Sequence, residues 1–182
     1  HGSMLLYSLL HFNGFDISID EIKNFRQLGS KTAGHPEKDF EIGIDTTTGP
    51  LGQGFANGVG LAVAERYLAS VFGEDVVDHH IYGIVSDGDL MEGISTEAAE
   101  LAGLWKLGKL IYFFDDNNIS IDGNVTQVSV TNQKEKFNSM GWDVLEIDAH
   151  KENEIIEAVE SAKSVTNKPT LIISKSTIGK YA

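Results

Sequence analysis

The chain has 182 residues, 41% of them hydrophobic, with 27 Asp and Glu against 14 Lys and Arg for a formal charge of -13, and no cysteine. This composition supports one sizeable core, and it excludes disulfides, thiol catalysis and fibrous or disordered architectures. The acidic balance argues against nucleic-acid and anionic-membrane partners, and the apolar runs are shorter than the roughly 18 residues that span a bilayer, so a soluble, cytoplasmic protein is expected.

Residues 1–4 fit either a cloning remnant or the start of a helix over 4–10 with Ser3 as N-cap, and position 1 is not Met, which points to a piece of a longer protein. Ser18-Ile19-Asp20-Glu21 reads as a capping box for a short helix through Phe25 and Leu28, closed by Gly29. Residues 29–50 hold Gly29, Gly34, Pro36, Gly43, Gly49 and Pro50 with little periodicity, which predicts a long loop carrying His35. The run 53–70 predicts a helix whose Gly54, Gly58 and Gly60 allow close backbone packing. Four β-type runs follow at 81–85, 110–114, 144–147 and 171–173, with helical patterns at 92–105, 132–140 and 152–165 between them. This alternation predicts an α/β fold with a mostly parallel sheet covered by helices on both faces.

Two of the strand runs end in chemistry-bearing turns. Ser86-Asp87-Gly88-Asp89-Leu90-Met91-Glu92-Gly93 follows the first, and Asn117, thirty positions after Asp87, follows the second within Asp115-Asp116-Asn117-Asn118-Ile119-Ser120. Neighbouring parallel strands would bring a carboxylate and an amide out together at their carboxyl ends, a place to hold a cation and a phosphate. Asp87, the Asn117 amide oxygen and the Ile119 carbonyl are the candidate metal ligands, with Mg²⁺ as the expected ion and Ca²⁺ or Mn²⁺ as alternatives. The Gly88 backbone is the candidate phosphate contact. Either turn alone reads as an ordinary strand-end turn; the pairing shifts the balance towards a site. An EF-hand fails, because Met91 and Ala98 stand where ligands are needed. Gly52-Gln53-Gly54 misses a dinucleotide fingerprint, since no strand precedes it. His11, His79 and His80 read as structural, and His150 as a loop residue.

Taken together, Asp87-Gly88, Met91-Glu92-Gly93 and Asn117 with Ile119-Ser120-Ile121-Asp122-Gly123 resemble the thiamine-diphosphate signature of transketolases. The likeness extends to His1-Gly2-Ser3-Met4, Lys31-Thr32-Ala33-Gly34-His35-Pro36-Glu37, Thr47-Thr48-Gly49-Pro50-Leu51-Gly52-Gln53-Gly54 and Lys168-Pro169-Thr170. It implies that residues 1–182 are a single thiamine-diphosphate-binding domain, without upstream residues or the pyrimidine-binding and C-terminal domains. It also implies cofactor contacts at His1, Gly49, Pro50, Leu51, Gly88 and Asn117, metal ligation by Asp87, Asn117 and Ile119, and catalytic roles for His35 and His1. Glu92 resembles a family glutamate near the dimer interface. The implied reaction moves a two-carbon ketol unit from a ketose phosphate to an aldose phosphate, of the xylulose 5-phosphate and ribose 5-phosphate class. The implied partner is a second copy sharing the active site, or a separate C-terminal subunit; the domain alone would be inactive. Another thiamine-diphosphate enzyme, of the deoxyxylulose-phosphate synthase or dehydrogenase E1 type, and a non-catalytic cofactor-binding domain are the alternatives. The family usually has glycine where Ser86 stands and a small residue where Asp89 stands; the extra carboxylate is expected to point away from the metal.

Overall fold

A computed structural model describes residues 2–180, so His1 and the role expected of it lie outside the described residues. The backbone divides into two compact units, residues 1–50 and 51–182.

In the first unit, helix α1 spans Ser3–Phe12 and helix α2 spans Ile19–Lys23. Ser3 is not the N-cap; it lies inside α1, and Gly2 precedes it without any side-chain cap. The capping box at Ser18 is half formed. Ser18 accepts from the Glu21 N–H at 3.1 Å, but the Glu21 carboxylate accepts from the Lys31 N–H at 3.0 Å instead of reaching back. Helix α2 ends at Lys23, short of the expected run, and Leu28 is fully exposed rather than helical. Tyr7, Leu10, Ile17, Ile42 and Ile44 form a small core. Segment 29–50 is irregular except for one antiparallel bridge between Asp39 and Ile44. Side chains hold it: Tyr7 Oη donates to the Ala33 carbonyl at 2.7 Å, and buried Thr32 donates to the Glu21 carbonyl at 2.6 Å.

The second unit is built on a four-stranded parallel sheet. Its strands are β1 (Ile81–Val85), β2 (Leu110–Asp116), β5 (Asp143–Asp148) and β6 (Thr170–Lys175), ordered β1-β2-β6-β5. A hairpin of β3 (Ile119–Ser120) and β4 (Gly123–Asn124) forms a separate antiparallel pair. Helices α3 (Gln53–Phe72), α4 (Asp87–Met91), α5 (Gly93–Leu104), α6 (Gln133–Ser139) and α7 (Glu152–Ser164) complete it. Alternation along β2 explains why both faces bury. Leu110, Tyr112 and Phe114 pack with Phe55, Val59, Ala99, Ala102, Phe137 and Trp142 from the α3, α5 and α6 side, while Ile111 packs with Ile172, Ala158 and Ala162 on the α7 side. At β1 the second face is open, with Tyr82 and Ile84 more than half exposed. Gly58 gives room to the Tyr112 ring, whose hydroxyl would lie 2.0 Å from a Cβ there, whereas Gly60 faces open space. Close packing along α3 is thus side chain on backbone, and only at Gly58 of these two. Among the described residues no helix is long and apolar enough to cross a membrane.

Candidate functional site

Val85 at the end of β1 pairs in register with Phe114 near the end of β2. The two chains therefore leave the sheet at the same carboxyl edge, and α4 touches both β2 and β3 there. Asp87 opens α4 and is 6% exposed. Its Oδ2 is buried with no hydrogen-bond partner, an arrangement a native fold does not leave without compensation. Burial, then the negative charges of Asp116 and Asp115, push the Asp87 carboxyl up to about 6. Asp116 is raised as well, chiefly by burial. A divalent cation would relieve both the orphaned oxygen and the crowded charge.

The second turn is organised differently. Asn117 Nδ2 donates to Asp115 Oδ2 at 2.9 Å, and Asn117 Oδ1 accepts from the Ile119 N–H at 2.9 Å, an Asx turn leading into β3. Ser176, just beyond β6, donates to the other Asp115 oxygen at 2.5 Å. Asn117 Oδ1 keeps a second lone pair, so the turn and a metal bond are compatible. Asn118 and Ile121 have positive φ, 62° and 60°. Among the described residues no cluster of three or more His, Cys, Asp or Glu is placed to hold a metal. The available donors are one carboxylate, one amide oxygen and main-chain carbonyls, a hard-oxygen set that fits Mg²⁺ or Ca²⁺ better than zinc.

Leu51 lies beside Gly88: a Cβ on that glycine would stand 3.2 Å from Leu51 Cδ1. Leu51, Asp87, Gly88, Asn117 and Ile119 therefore all belong to the second unit, around its strand ends. His35, Gly49 and Pro50 belong to the first. There, Gly49 packs on the imidazole, since a Cβ would lie 2.8 Å from His35 Cβ and Cγ. The Thr48 N–H donates to the Pro36 carbonyl at 3.1 Å, and Thr47 Oγ1 accepts from the Lys38 N–H at 2.9 Å, which fixes the backbone beside an exposed His35. Glu92 is the extended residue between α4 and α5. His11 Nδ1 lies 2.7 Å from the Ile17 carbonyl, and His150 Nε2 accepts from the Thr177 N–H at 3.0 Å, so both tie loops.

Sequence reasoning gave no partner to three residues. Asp115 and Ser176 meet only because β2 and β6 are neighbours, a pairing that no local signal announces. Asp89 forms a capping box with Ser86, and the Ser-x-x-Asp spacing could have revealed it.

Sheet order, crossover helices and the acidic turn at a carboxyl strand end define the class, an α/β domain of the thiamine-diphosphate-binding fold. Residues 1–182 match the family described as transketolase, thiamine diphosphate binding domain, and the chain belongs to that family. It is 55% identical to Transketolase 1 of Pasteurella multocida over 98% of this chain and 27% of that protein. To Transketolase 1 of Escherichia coli it is 54% identical, over 98% of this chain and 28% of that protein. A transketolase crystal structure from Campylobacter jejuni superposes with a TM-score of 0.92 at 51% identity, over 96% of this chain and 27% of that one. A transketolase variant from Pichia stipitis, described as a complex with xylulose 5-phosphate, gives 0.92 at 45% identity over the same shares. The chain thus spans little more than a quarter of these relatives.

Proposed function

We propose that this chain supplies the cofactor-anchoring half of a transketolase active site. The observation that carries the reading is the buried, unpartnered Oδ2 of Asp87 at the mouth of a strand-end turn, beside the preformed Asn117 turn. Asp87, Asn117 Oδ1 and the Ile119 carbonyl would hold Mg²⁺, or Ca²⁺ or Mn²⁺ in its place, and Gly88 with Asn117 would meet the diphosphate. Leu51, with Gly49 and Pro50 before it, would lie against the aminopyrimidine and its bridge. His35 would meet substrate hydroxyls, and His1 would reach the diphosphate region. When bound, thiamine diphosphate supplies the C2 carbanion and electron sink for donor cleavage. The protein's part is to ionise Asp87, anchor the charge of the diphosphate through the cation, and keep Leu51 over Gly88 so that the ligand is folded on entry.

The complete protein would transfer a two-carbon unit between a ketose phosphate and an aldose phosphate, as a dimer with shared sites or with a separate C-terminal subunit, in the cytoplasm. The xylulose 5-phosphate complex of the Pichia stipitis relative supports that substrate class. The test uses the complete gene product: calorimetry with thiamine diphosphate and Mg²⁺, and ketol transfer from xylulose 5-phosphate to ribose 5-phosphate. Metal-independent cofactor binding, unchanged in Asp87→Ala, would overturn the site assignment. Tight cofactor binding without turnover would overturn the reaction.

A further inference from the structure

Asp89, the third residue of α4, spends both carboxylate oxygens inside the fold. Oδ2 accepts from the Ser86 N–H at 2.9 Å and from the Ser86 hydroxyl at 3.0 Å, while Oδ1 reaches across to accept from the Gly52 N–H at 3.1 Å. Gly52 is buried in the left-handed region, with φ 78°, at the N-cap of the 20-residue helix α3. No side chain fits there: a Cβ would lie 2.8 Å from Glu92 Cβ and 2.9 Å from both Ile94 Cγ2 and Ser95 Oγ. Ser95 in turn donates to the Asp89 carbonyl at 2.5 Å. From the far side, Lys136 donates to the Leu90 carbonyl at 3.2 Å and to Thr96 Oγ1 at 3.1 Å. The turn before α3, the turn before α4 and the first turn of α5 are therefore interlocked, with the Asp89 side chain bonded to the first two. Leu51, next to Gly52, rests on Gly88, next to Asp87.

We infer that Asp89 is a positioning residue that fixes Leu51 over Gly88 before the ligand arrives, so that the cofactor pocket of the second unit is built in the unliganded protein. The inference rests on the cofactor reading above. The carboxylate is required because it faces three donors, two of them main-chain N–H groups. An amide offers a single oxygen, and its NH₂ would face an N–H, so Asn cannot serve Gly52 and Ser86 together. The negative charge also stands at the N-terminus of α3, where it is favourable.

The test uses the complete protein with Asp89→Asn, Asp89→Ala and, as an internal control, Ser86→Ala, which removes a hydroxyl donor and leaves the Gly52 bridge. In Asp89→Asn the cofactor Kd, measured by calorimetry at saturating Mg²⁺, rises by about 10-fold or more, the scale seen when a supporting hydrogen bond behind a ligand site is lost. Amide exchange at Gly52 accelerates in the unliganded state, and kcat recovers to the wild-type value at saturating cofactor. Ser86→Ala, which leaves the Gly52 bridge and the Ser86 N–H bond to Asp89 in place, changes the Kd by less than about threefold. Wild-type Kd and wild-type Gly52 exchange in a folded Asp89→Asn protein would overturn the inference while leaving the cofactor site standing. A fall in kcat that saturating cofactor does not restore would also overturn it, by showing general damage. Absence of Mg²⁺-dependent binding in the wild type itself would remove the cofactor reading, and the inference with it.

Discussion

The Asp87 turn and the Asn117 turn leave neighbouring strands at one edge of the sheet, yet they are satisfied in opposite ways. Asp87 presents a buried oxygen without a partner and a carboxyl raised to about 6. At Asn117 the side chain is held at both ends, by Asp115 and by the Ile119 N–H, with Ser176 behind Asp115. One turn is electrostatically incomplete; the other is finished in advance. A site assembled this way has its charge requirement concentrated in one residue and its geometry in the other.

Substitution separates the two roles, and Asp87→Ala should have the largest effect. Cation-dependent cofactor binding is expected to fall by on the order of 100-fold or more, since the only buried carboxylate of the set is gone. The unliganded protein should become more stable near neutral pH, because an uncompensated buried charge is removed. Asn117→Ala should instead lower both quantities, with binding weaker by about 10-fold to 100-fold and stability down by about 1–2 kcal/mol for two lost hydrogen bonds. Titration calorimetry and thermal unfolding on the same preparations check both. Opposite signs for stability support the comparison, and a shared sign breaks it.

Protonation gives a graded version of the first substitution. A carboxyl raised to about 6 binds more protons in the folded state than in the unfolded state, so its contribution to stability is present below about 4 and is lost as pH rises through about 6. Cation binding runs the other way, because the ligand must be ionised. Mg²⁺ affinity should drop by about tenfold per pH unit below about 6, and flatten above it. A pH-independent affinity between 5 and 7 would show that Asp87 is not the titrating ligand.

How much of this could be read from the chain differs between the turns for the same reason. Strand β1 was expected at its observed limits, because a short apolar run flanked by polar residues carries its own signal. The strand-end positions of Asp87 and Asn117 were legible because each sits within a few residues of such a run. The helix expected at 92–105 is observed as α5, and only the separate short helix α4 before it went unread, because five residues are too few to show a helical period. The β3–β4 hairpin was missed although Asp122-Gly123 is a turn signal, since two-residue strands are too short to show periodicity. Contacts between segments far apart in sequence, such as Ser176 with Asp115 and Asp89 with Gly52, are set by topology and leave no local trace.

Ser176→Ala sharpens the contrast at smaller scale. It leaves Asn117 in place but removes one of the two ties on Asp115, so the carboxylate is freer to turn and orients the amide less well. Cofactor affinity should fall by about threefold to tenfold, with a stability loss near 1 kcal/mol. Equal loss in a protein that already lacks Asn117 would show that Ser176 does not act through that side chain; a double-mutant cycle measures the coupling.

The smallest expected effect concerns the tip of the hairpin that follows Asn117. Ile121 is 95% exposed and sits in the left-handed region at φ 60°, an unfavourable place for a β-branched side chain with no packing to compensate. The strain is the cost of turning the chain tightly enough for Ser120 to pair with Gly123 and for Ile119 to stay beside Asn117. Ile121→Asn keeps the conformation with a residue that tolerates it, and should raise stability by about 0.5–1 kcal/mol. Cofactor binding should not change, because the side chain is almost wholly exposed and only the backbone course matters. If binding weakens while stability rises, the strained tip contributes to the site's geometry, and the Asn117 turn would have to be counted as poised rather than finished.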